Sequence, residues 1–147
     1  MQTADKLKKK GWKGKGKCIL CGVDESLNHV IFSCVLARFA WICVKEVLSW
    51  ERIPISLDDF QMNWLDRIRA NAYNITLFSF AALAWSLWKL RNKMEIEQDF
   101  PKRPMDVIYN FLSCLQHWKI LITGDDRGFL DDFLDDFESW IKNTGFK

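Results

Sequence analysis

Glycine and proline are scarce in this sequence, with seven and three residues among 147. So few turn-forming residues argue against a turn-rich β-sandwich. The chain is also too short for a complete polymerase, a TIM barrel or a two-domain dehydrogenase, and its length suits a single domain. Hydrophobic residues make up 49% of the sequence. This fraction supports a packed core and argues against wholesale disorder.

Long apolar runs are missing too. The lysine-rich start is not followed by a compact apolar stretch with a small-residue cleavage site, so we recognise no secretory signal. The uncharged segment 70–88 is interrupted by asparagine, threonine and serine, and we interpret it as a buried core helix and not as a membrane span. We therefore expect an intracellular protein, nuclear or cytoplasmic, that is not secreted and has no membrane partner.

Recognisable catalytic motifs are absent as well. The Tyr-x-Asp-Asp motif of polymerases is missing. The Gly-Asp-Asp at 124–126 is better explained as a turn followed by the acidic start of a helix, where negative charge interacts favourably with the helix dipole. The paired acids at 131–132 and 135–136 are interpreted as a solvated helix face, and the glycines within 11–16 lack the strand and helix of a phosphate-binding loop. We therefore expect no enzymatic activity.

Apolar residues recur at helical spacing along most of the chain and predict a mostly α fold. Ser56 followed by Asp59 is a variant of the capping box and indicates a helix start. The segment 100–104 contains two prolines and is a break, and Gly124 and Gly128 are expected to bracket a turn. The predicted helices span residues 4–10, 35–50, 57–69, 73–98, 105–120 and 129–141.

The longest predicted helix, residues 73–98, is apolar on nearly all sides in its first half and charged in its second half. It should therefore lie at the centre of the fold, with Phe78, Leu83, Trp85 and Leu87 largely buried. The sequence also contains eight tryptophans, which is more than a chain of this length can easily bury. We therefore expect a partner surface or an exposed aromatic groove.

A cysteine and histidine cluster carries the clearest chemical signal. Cys18, Cys21, His29 and Cys34 follow the spacing Cys-x2-Cys-x7-His-x4-Cys. Three thiolates and one imidazole form a closed tetrahedral set that suits Zn²⁺ in a structural role. Sulfur ligands are too soft for Mg²⁺ or Ca²⁺. The sequence therefore predicts one zinc site on these four residues.

A redox pair and a disulfide framework account for the cysteines less well. The first explanation is a redox Cys-x-x-Cys, with the histidine and the third cysteine unrelated to it. The sequence around the pair lacks the strand–helix context of thioredoxin-like proteins. A disulfide framework is disfavoured because five is an odd number and no secretion signal is recognised. Cys43 and Cys114 fall on apolar helical faces and are expected to be core thiols. His117 is expected at the surface or partly buried, and not as a fifth ligand.

These observations combine into one predicted architecture. The fold class is mostly α, with a zinc-knuckle-like Cys3His loop followed by a bundle of about five helices, and any β-structure is confined to a short ribbon at the knuckle. We divide the chain into a basic N-terminal arm at 1–17, a zinc-binding knuckle with its following helix at 18–50, and a helical bundle at 51–147 that ends in an acidic amphipathic helix.

Two blocks of the sequence resemble the zinc-binding domain at the C-terminal end of plant non-LTR (LINE-type) retrotransposon reverse transcriptases. The first is a T-A-D-x-L-x-x-R/K-G-W lead-in followed by C-x-L-C-G, an acidic pair, H-x-x-F-x-C and A-R-x-x-W. The second, at 85–92, resembles a W-x-x-W-K-x-R-N segment. The residues that match in the first block are Thr3, Ala4, Asp5, Leu7, Gly11, Trp12, Cys18, Leu20, Cys21, Gly22, Glu25, His29, Phe32, Cys34, Ala37, Arg38 and Trp41.

The resemblance covers about residues 3–95 and implies a zinc-binding module, here without the polymerase domain that precedes it in those elements. It also implies nucleic-acid binding. The basic arm is consistent with this function, since seven lysines and only one acid precede the first cysteine. The candidate contacts to single-stranded nucleic acid are the phosphate-binding lysines Lys8, Lys9, Lys10, Lys13, Lys15 and Lys17 and the base-stacking Trp12.

Alternatives to nucleic-acid binding stay open from the sequence. The arm can be a solvated, flexible terminus. The chain can instead be a protein-interaction module retained by the host, whose aromatic helical faces, including the Phe-rich final helix, bind a protein partner's groove or pack on their own core. The seven acids between Asp125 and Glu138 nearly balance the arm lysines, so intramolecular masking or a head-to-tail homodimer is a further alternative.

Overall fold

The computed structural model describes residues 16–64 and 70–144. Within these ranges the protein has five α-helices, named here α1 to α5. They are α1 Val35–Leu48, α2 Leu57–Asn63, α3 Ala70–Ile96, α4 Met105–Trp118 and α5 Asp125–Thr144. A π-helical turn at His29–Ser33 precedes α1, and a 3-10 turn at Lys119–Leu121 follows α4. The predicted mostly α fold is therefore confirmed, whereas the predicted helix 4–10 lies outside the described residues.

The β-structure of the described residues is one isolated antiparallel bridge between Lys17 and Asp24. It closes the knuckle loop, which is where the sequence analysis placed any β-structure. None of the described helices is long and apolar enough to cross a membrane. The proposed division at residues 17 and 50 stays a prediction.

Local capping explains where the first helices begin and end. The side chain of Ser56 accepts a hydrogen bond from the backbone N–H of Asp59 at 3.0 Å, which confirms the predicted helix start. Helix α1 ends at Ser49, whose left-handed backbone (φ 57°) donates its N–H back to Lys45. Helix α2 stops at Asn63, and the predicted continuation through Leu65 and Ile68 lies outside the described residues.

Helix α3 is the central element and packs against the π turn, α4 and α5. Leu83 and Leu87 are buried as expected, and Phe78 is half-buried. The expectation that Trp85 is buried is wrong, because its side chain is 44% exposed. An exposed stripe runs along α3 at a spacing of four residues, and the residues on it are Leu77, Ala81, Trp85, Lys89 and Lys93. This stripe is apolar in its first half, so the sequence pattern could not separate it from the buried faces.

An aromatic cluster joins the N-terminal part of the chain to α3. The Trp41 ring lies 5.6 Å from Phe32, 5.9 Å from Phe60 and 6.1 Å from Phe80, measured between ring centroids. Its indole N–H donates to the carbonyl of Ile31 at 2.8 Å, so the buried nitrogen is satisfied. The π turn, α1, α2 and α3 therefore share one core.

Helix α5 begins earlier than the sequence pattern indicated. Asp125 and Asp126 form its acidic first turn, as expected from the helix dipole. Gly124 has φ 67° and forms the turn, but Gly128 lies inside the helix, so the expectation that both glycines bracket the turn is wrong. The helix extends one turn further toward its N-terminus than the sequence predicted. Gly128 is therefore a helical residue, despite its preference for turns. Leu130, Leu134 and Phe137 are buried.

The two faces of α5 give a stability prediction. We expect Leu130→Ala to lower the free energy of unfolding by about 2–5 kcal/mol, because it leaves a cavity in the core. Phe129→Ala is the matched control, since Phe129 is 40% exposed. This neighbouring change should cost less than about 1 kcal/mol. Urea unfolding of the zinc-loaded protein measures both, and equal losses would contradict the described packing of α5.

Candidate metal centre

A tight turn places the first two cysteines of the cluster. The N–H of Gly22 donates to the carbonyl of Cys18 at 2.9 Å, and the N–H of Cys18 donates to Val23 at 2.8 Å. Gly22 has φ 73°, a left-handed conformation that favours glycine. A Cβ atom at this position would meet no atom within 4 Å. Glycine is therefore favoured here by the backbone conformation and not by a lack of space.

The π turn places the other two residues. The N–H of Cys34 donates to the carbonyl of His29 at 2.7 Å, which is the i→i+5 bond of a π-helix. Ser26 precedes this turn and accepts from the N–H of His29 at 3.1 Å. An α-helix has 3.6 residues per turn, so residues five apart in it point in different directions. The wider π turn accounts for the His-x4-Cys spacing of the motif.

The four side chains converge on one point. The candidate ligand atoms of Cys18, Cys21, His29 and Cys34 all lie within 4.8 Å of one another. The Sγ atom of Cys34 is 3.8 Å from the Sγ atoms of both Cys18 and Cys21. A tetrahedral ion with zinc–sulfur bonds of about 2.3 Å requires nearly this sulfur–sulfur separation. A disulfide would need about 2.05 Å, and all five cysteines are free.

The histidine nitrogen supplies an independent indication of a metal ligand. His29 is buried, and its Nε2 atom has no hydrogen-bond partner among the described residues. Burying a polar atom without a partner is costly, so such atoms are rare in folded proteins. Coordination by the lone pair of this nitrogen would satisfy it. The donor set of three sulfurs and one imidazole therefore fits Zn²⁺, and the cluster is able to bind this ion.

Burial shifts the pKa values of Cys34 and His29 in the directions that favour their neutral forms. It raises the pKa of the Cys34 thiol to about 12, and the nearby Cys18 and Cys21 add to the rise. Burial also lowers the pKa of His29, an effect that the charge of Glu25 partly opposes. Three thiolates so close together require a cation, which a bound Zn²⁺ supplies. Because protons compete with the metal for these ligands, acid should release it.

An ion pair buried beside the cluster fastens the knuckle to α3. The guanidinium of Arg91 binds the Glu25 carboxylate through Nη2 at 2.7 Å and through Nε at 3.1 Å to both oxygens. Side-chain exposure is 2% for Glu25 and 12% for Arg91. The guanidinium also donates to the Asn92 side chain at 2.9 Å and lies 5.4 Å from the Trp88 ring centroid. We refer to this pair as the Glu25–Arg91 clamp.

Sequence reasoning missed this clamp, although both residues belong to the two blocks of the family resemblance. The occurrence of an acidic residue in the first block and an arginine in the second was the sequence signal that could have indicated the pair. Cys43 is buried as expected, Cys114 is half-buried, and His117 is exposed and away from the cluster. Of the predicted nucleic-acid contacts, Lys17 is exposed next to Cys18. The remaining ones, Lys8, Lys9, Lys10, Trp12, Lys13 and Lys15, lie outside the described residues.

The geometry predicts the metal content of the purified protein. Elemental analysis of protein prepared without added metal should find about one zinc ion per chain. Cys21→Ser should abolish zinc retention and lower the melting temperature, because the ion holds the knuckle against the core. Cys114→Ser removes a cysteine outside the cluster and should keep the zinc. Zinc near zero in the unmodified chain would refute the site.

The clamp predicts a large effect from removing one partner. Arg91→Met should lower the free energy of unfolding by about 3–5 kcal/mol, because it removes the guanidinium that pairs with the buried Glu25 carboxylate. Adding Glu25→Gln should recover part of this loss, since the two side chains interact directly. Lys93→Met, an exposed change on the same helix, is the control and should stay within about 0.5 kcal/mol. A double variant whose loss equals the sum of the two single losses would argue against the clamp.

One comparison with known proteins agrees with this chemistry, and two found no match. No curated protein matches the chain, and no solved structure matches it. The family model described as zinc-binding in reverse transcriptase (zf-RVT) matches residues 1–41. This segment contains all four residues of the cluster and Glu25 of the clamp. The metal centre therefore lies wholly inside a segment that matches the zinc-binding domain of reverse transcriptases.

Proposed function

We propose that this chain is a non-catalytic, retroelement-derived zinc module that binds single-stranded nucleic acid through its basic arm and knuckle. The observation that carries the proposal is the exposed apolar tip of the knuckle beside a lysine. Ile19, Leu20 and Val23 are all exposed at this tip, and Lys17 is exposed immediately before it. Zinc knuckles recognise unpaired bases, and apolar side chains on such a loop can lie against them.

The ligand set supports the non-catalytic part of the proposal. Catalytic zinc sites have three protein ligands and keep a position for water or substrate. The cluster here offers four side chains, so a tetrahedral ion would be fully coordinated by protein. In this proposal the ion shapes the loop and takes no part in a reaction.

The arm supplies the charge that the knuckle lacks. Lysines at 8–15 continue directly into Lys17, so phosphates next to a base held at the tip would meet several cations. Such contacts release counterions and make the affinity depend strongly on salt, without reading sequence. Binding should therefore tolerate changes of base and favour unpaired strands, whose bases are free to stack.

A protein-interaction module is the second candidate function. The apolar face of α5 packs in the core of this chain, so that face no longer favours a partner. A different feature does favour one, since Ile120 and Leu121 of the 3-10 turn are 79% and 73% exposed. Two adjacent apolar side chains at this exposure are typical of contact surfaces, but they are fewer than the three exposed at the knuckle tip.

A fluorescence-anisotropy titration with a labelled single-stranded oligonucleotide tests the proposal. We expect binding at low salt. Replacing Lys8, Lys9 and Lys10 with alanine should weaken it and reduce the slope of log affinity against log salt by about 0.7 for each lysine. The tip variant Ile19→Ser with Leu20→Ser should weaken binding without changing this slope. Lys142→Ala, an exposed change on α5, is the control.

Each variant must retain zinc, because loss of the fold would weaken binding for another reason. Failure of the unmodified, zinc-loaded chain to bind at low salt would refute the nucleic-acid function. Capture of a protein from a nuclease-treated lysate, lost in Ile120→Ser with Leu121→Ser, would then favour the second candidate.

A further inference from the structure

Helices α3 and α4 enclose a surface cavity of about 320 Å³ on the side of α3 that carries the exposed stripe. A second depression of about 280 Å³ continues it and shares Leu90, Lys93 and Asn110 with it. We call the two together the α3–α4 groove. Volumes of this size are typical of sites that hold small ligands or parts of larger ones. The groove lies outside the segment that matches the zinc-binding domain.

One wall of the groove is a stripe of α3. Trp85, Lys89 and Lys93 follow one another at a spacing of four residues and therefore share a helix face. Neither lysine has a carboxylate partner within the described part of the chain. Like charges four residues apart weaken a helix slightly. Lys93 lies in the last turn of α3, where its charge suits the helix dipole, but no ion pair among the described residues neutralises either lysine, so their charge is available to an anion.

The opposite wall on α4 carries hydrogen-bonding groups and a second tryptophan. Asn110, Ser113 and His117 are exposed, and their side chains make no hydrogen bond within residues 16–64 and 70–144. Trp118 is half-buried and packs edge-on against Phe78 at 5.9 Å between ring centroids, which holds the indole in place. Across the groove, Trp85 has no ring partner among the described residues.

The charges that line the groove favour an anionic ligand. No acidic residue lines the larger cavity. Asp99 and Asp106 appear in the smaller depression, where Asp106 already accepts hydrogen bonds from the backbone N–H groups of Lys102 and Arg103. Phe100 and Tyr109 also line this depression and are exposed. The combination of aromatic rings and cations matches a chain that carries flat bases and phosphates.

We infer that the α3–α4 groove is a second binding site for single-stranded nucleic acid. It places bases against Trp85 and Trp118 and phosphates against Lys89 and Lys93. Asn110, Ser113 and His117 face the base edges with groups that can donate or accept hydrogen bonds. The inference rests on the proposed function of the chain, but it assigns contacts to residues that the knuckle and the arm do not include. An acidic peptide is the competing ligand, and it offers charge without stacking surfaces.

Anisotropy titrations of the full, zinc-loaded chain with a single-stranded oligonucleotide test the groove. Lys89→Gln combined with Lys93→Gln should weaken binding and reduce the salt slope by about 0.7 for each lysine removed. Trp85→Leu should weaken binding about fivefold or more while leaving the slope unchanged, because it removes stacking and no charge. Lys142→Gln is the matched control and should bind as the unmodified chain does. All the altered side chains are exposed, so zinc content and melting temperature should not change.

The outcomes separate the groove from the arm. Binding that is lost in the arm variant but unchanged in the three groove substitutions overturns the groove and leaves the proposed function standing. Binding that weakens in the groove variants supports the groove, whatever the arm variant does. If no oligonucleotide binds the unmodified chain, both proposals fail. A glutamate-rich peptide that binds through Lys89 and Lys93 more tightly than the oligonucleotide also overturns the inference.

Discussion

The buried carboxylate of Glu25 cannot remain in the core without a counter-charge, and Arg91 supplies it. This pair fastens the knuckle to α3. A zinc-loaded metal site increases the need for a positive counter-charge, because three thiolates and one dication leave a net negative charge beside Glu25. Arg91 therefore balances one of two neighbouring negative centres. Trp88 and Asn92 hold the guanidinium in place from the same helix.

The aromatic cluster gives the metal site a second attachment to the core. Phe32 belongs to the π turn between His29 and Cys34, and its ring stacks on Trp41 and on Phe80. Side chains adjacent to the ligands are thus core residues of the bundle. Loss of the metal would disturb the packing of α1 and α3 and not only the loop, so metal affinity and folding stability should change together.

The sequence was sufficient for the features that depend on local physics. Ligand spacing predicted the zinc cluster, because three cysteines and one histidine at this spacing can reach a single tetrahedral ion from a tight turn and the helical turn after it. Apolar periodicity and the Ser56 cap predicted the helices and most of their ends. The burial of Trp85 was predicted wrongly, since an outward apolar stripe on α3 looks the same as a buried one in sequence. The partnership of Glu25 and Arg91 needed the tertiary structure, because 66 positions separate them.

The different sequence spans of the metal cluster and the Glu25–Arg91 clamp favour one order of assembly. Cys18 and Cys34 are 16 positions apart, whereas Glu25 and Arg91 are 66 apart. Closing the longer loop costs about 1.3 kcal/mol more in chain entropy. During synthesis the ligands are also complete before any residue of α3 has been made. The nascent chain can therefore take up its ion first, and the loaded knuckle then presents Glu25 as a preformed docking point for the helix that follows.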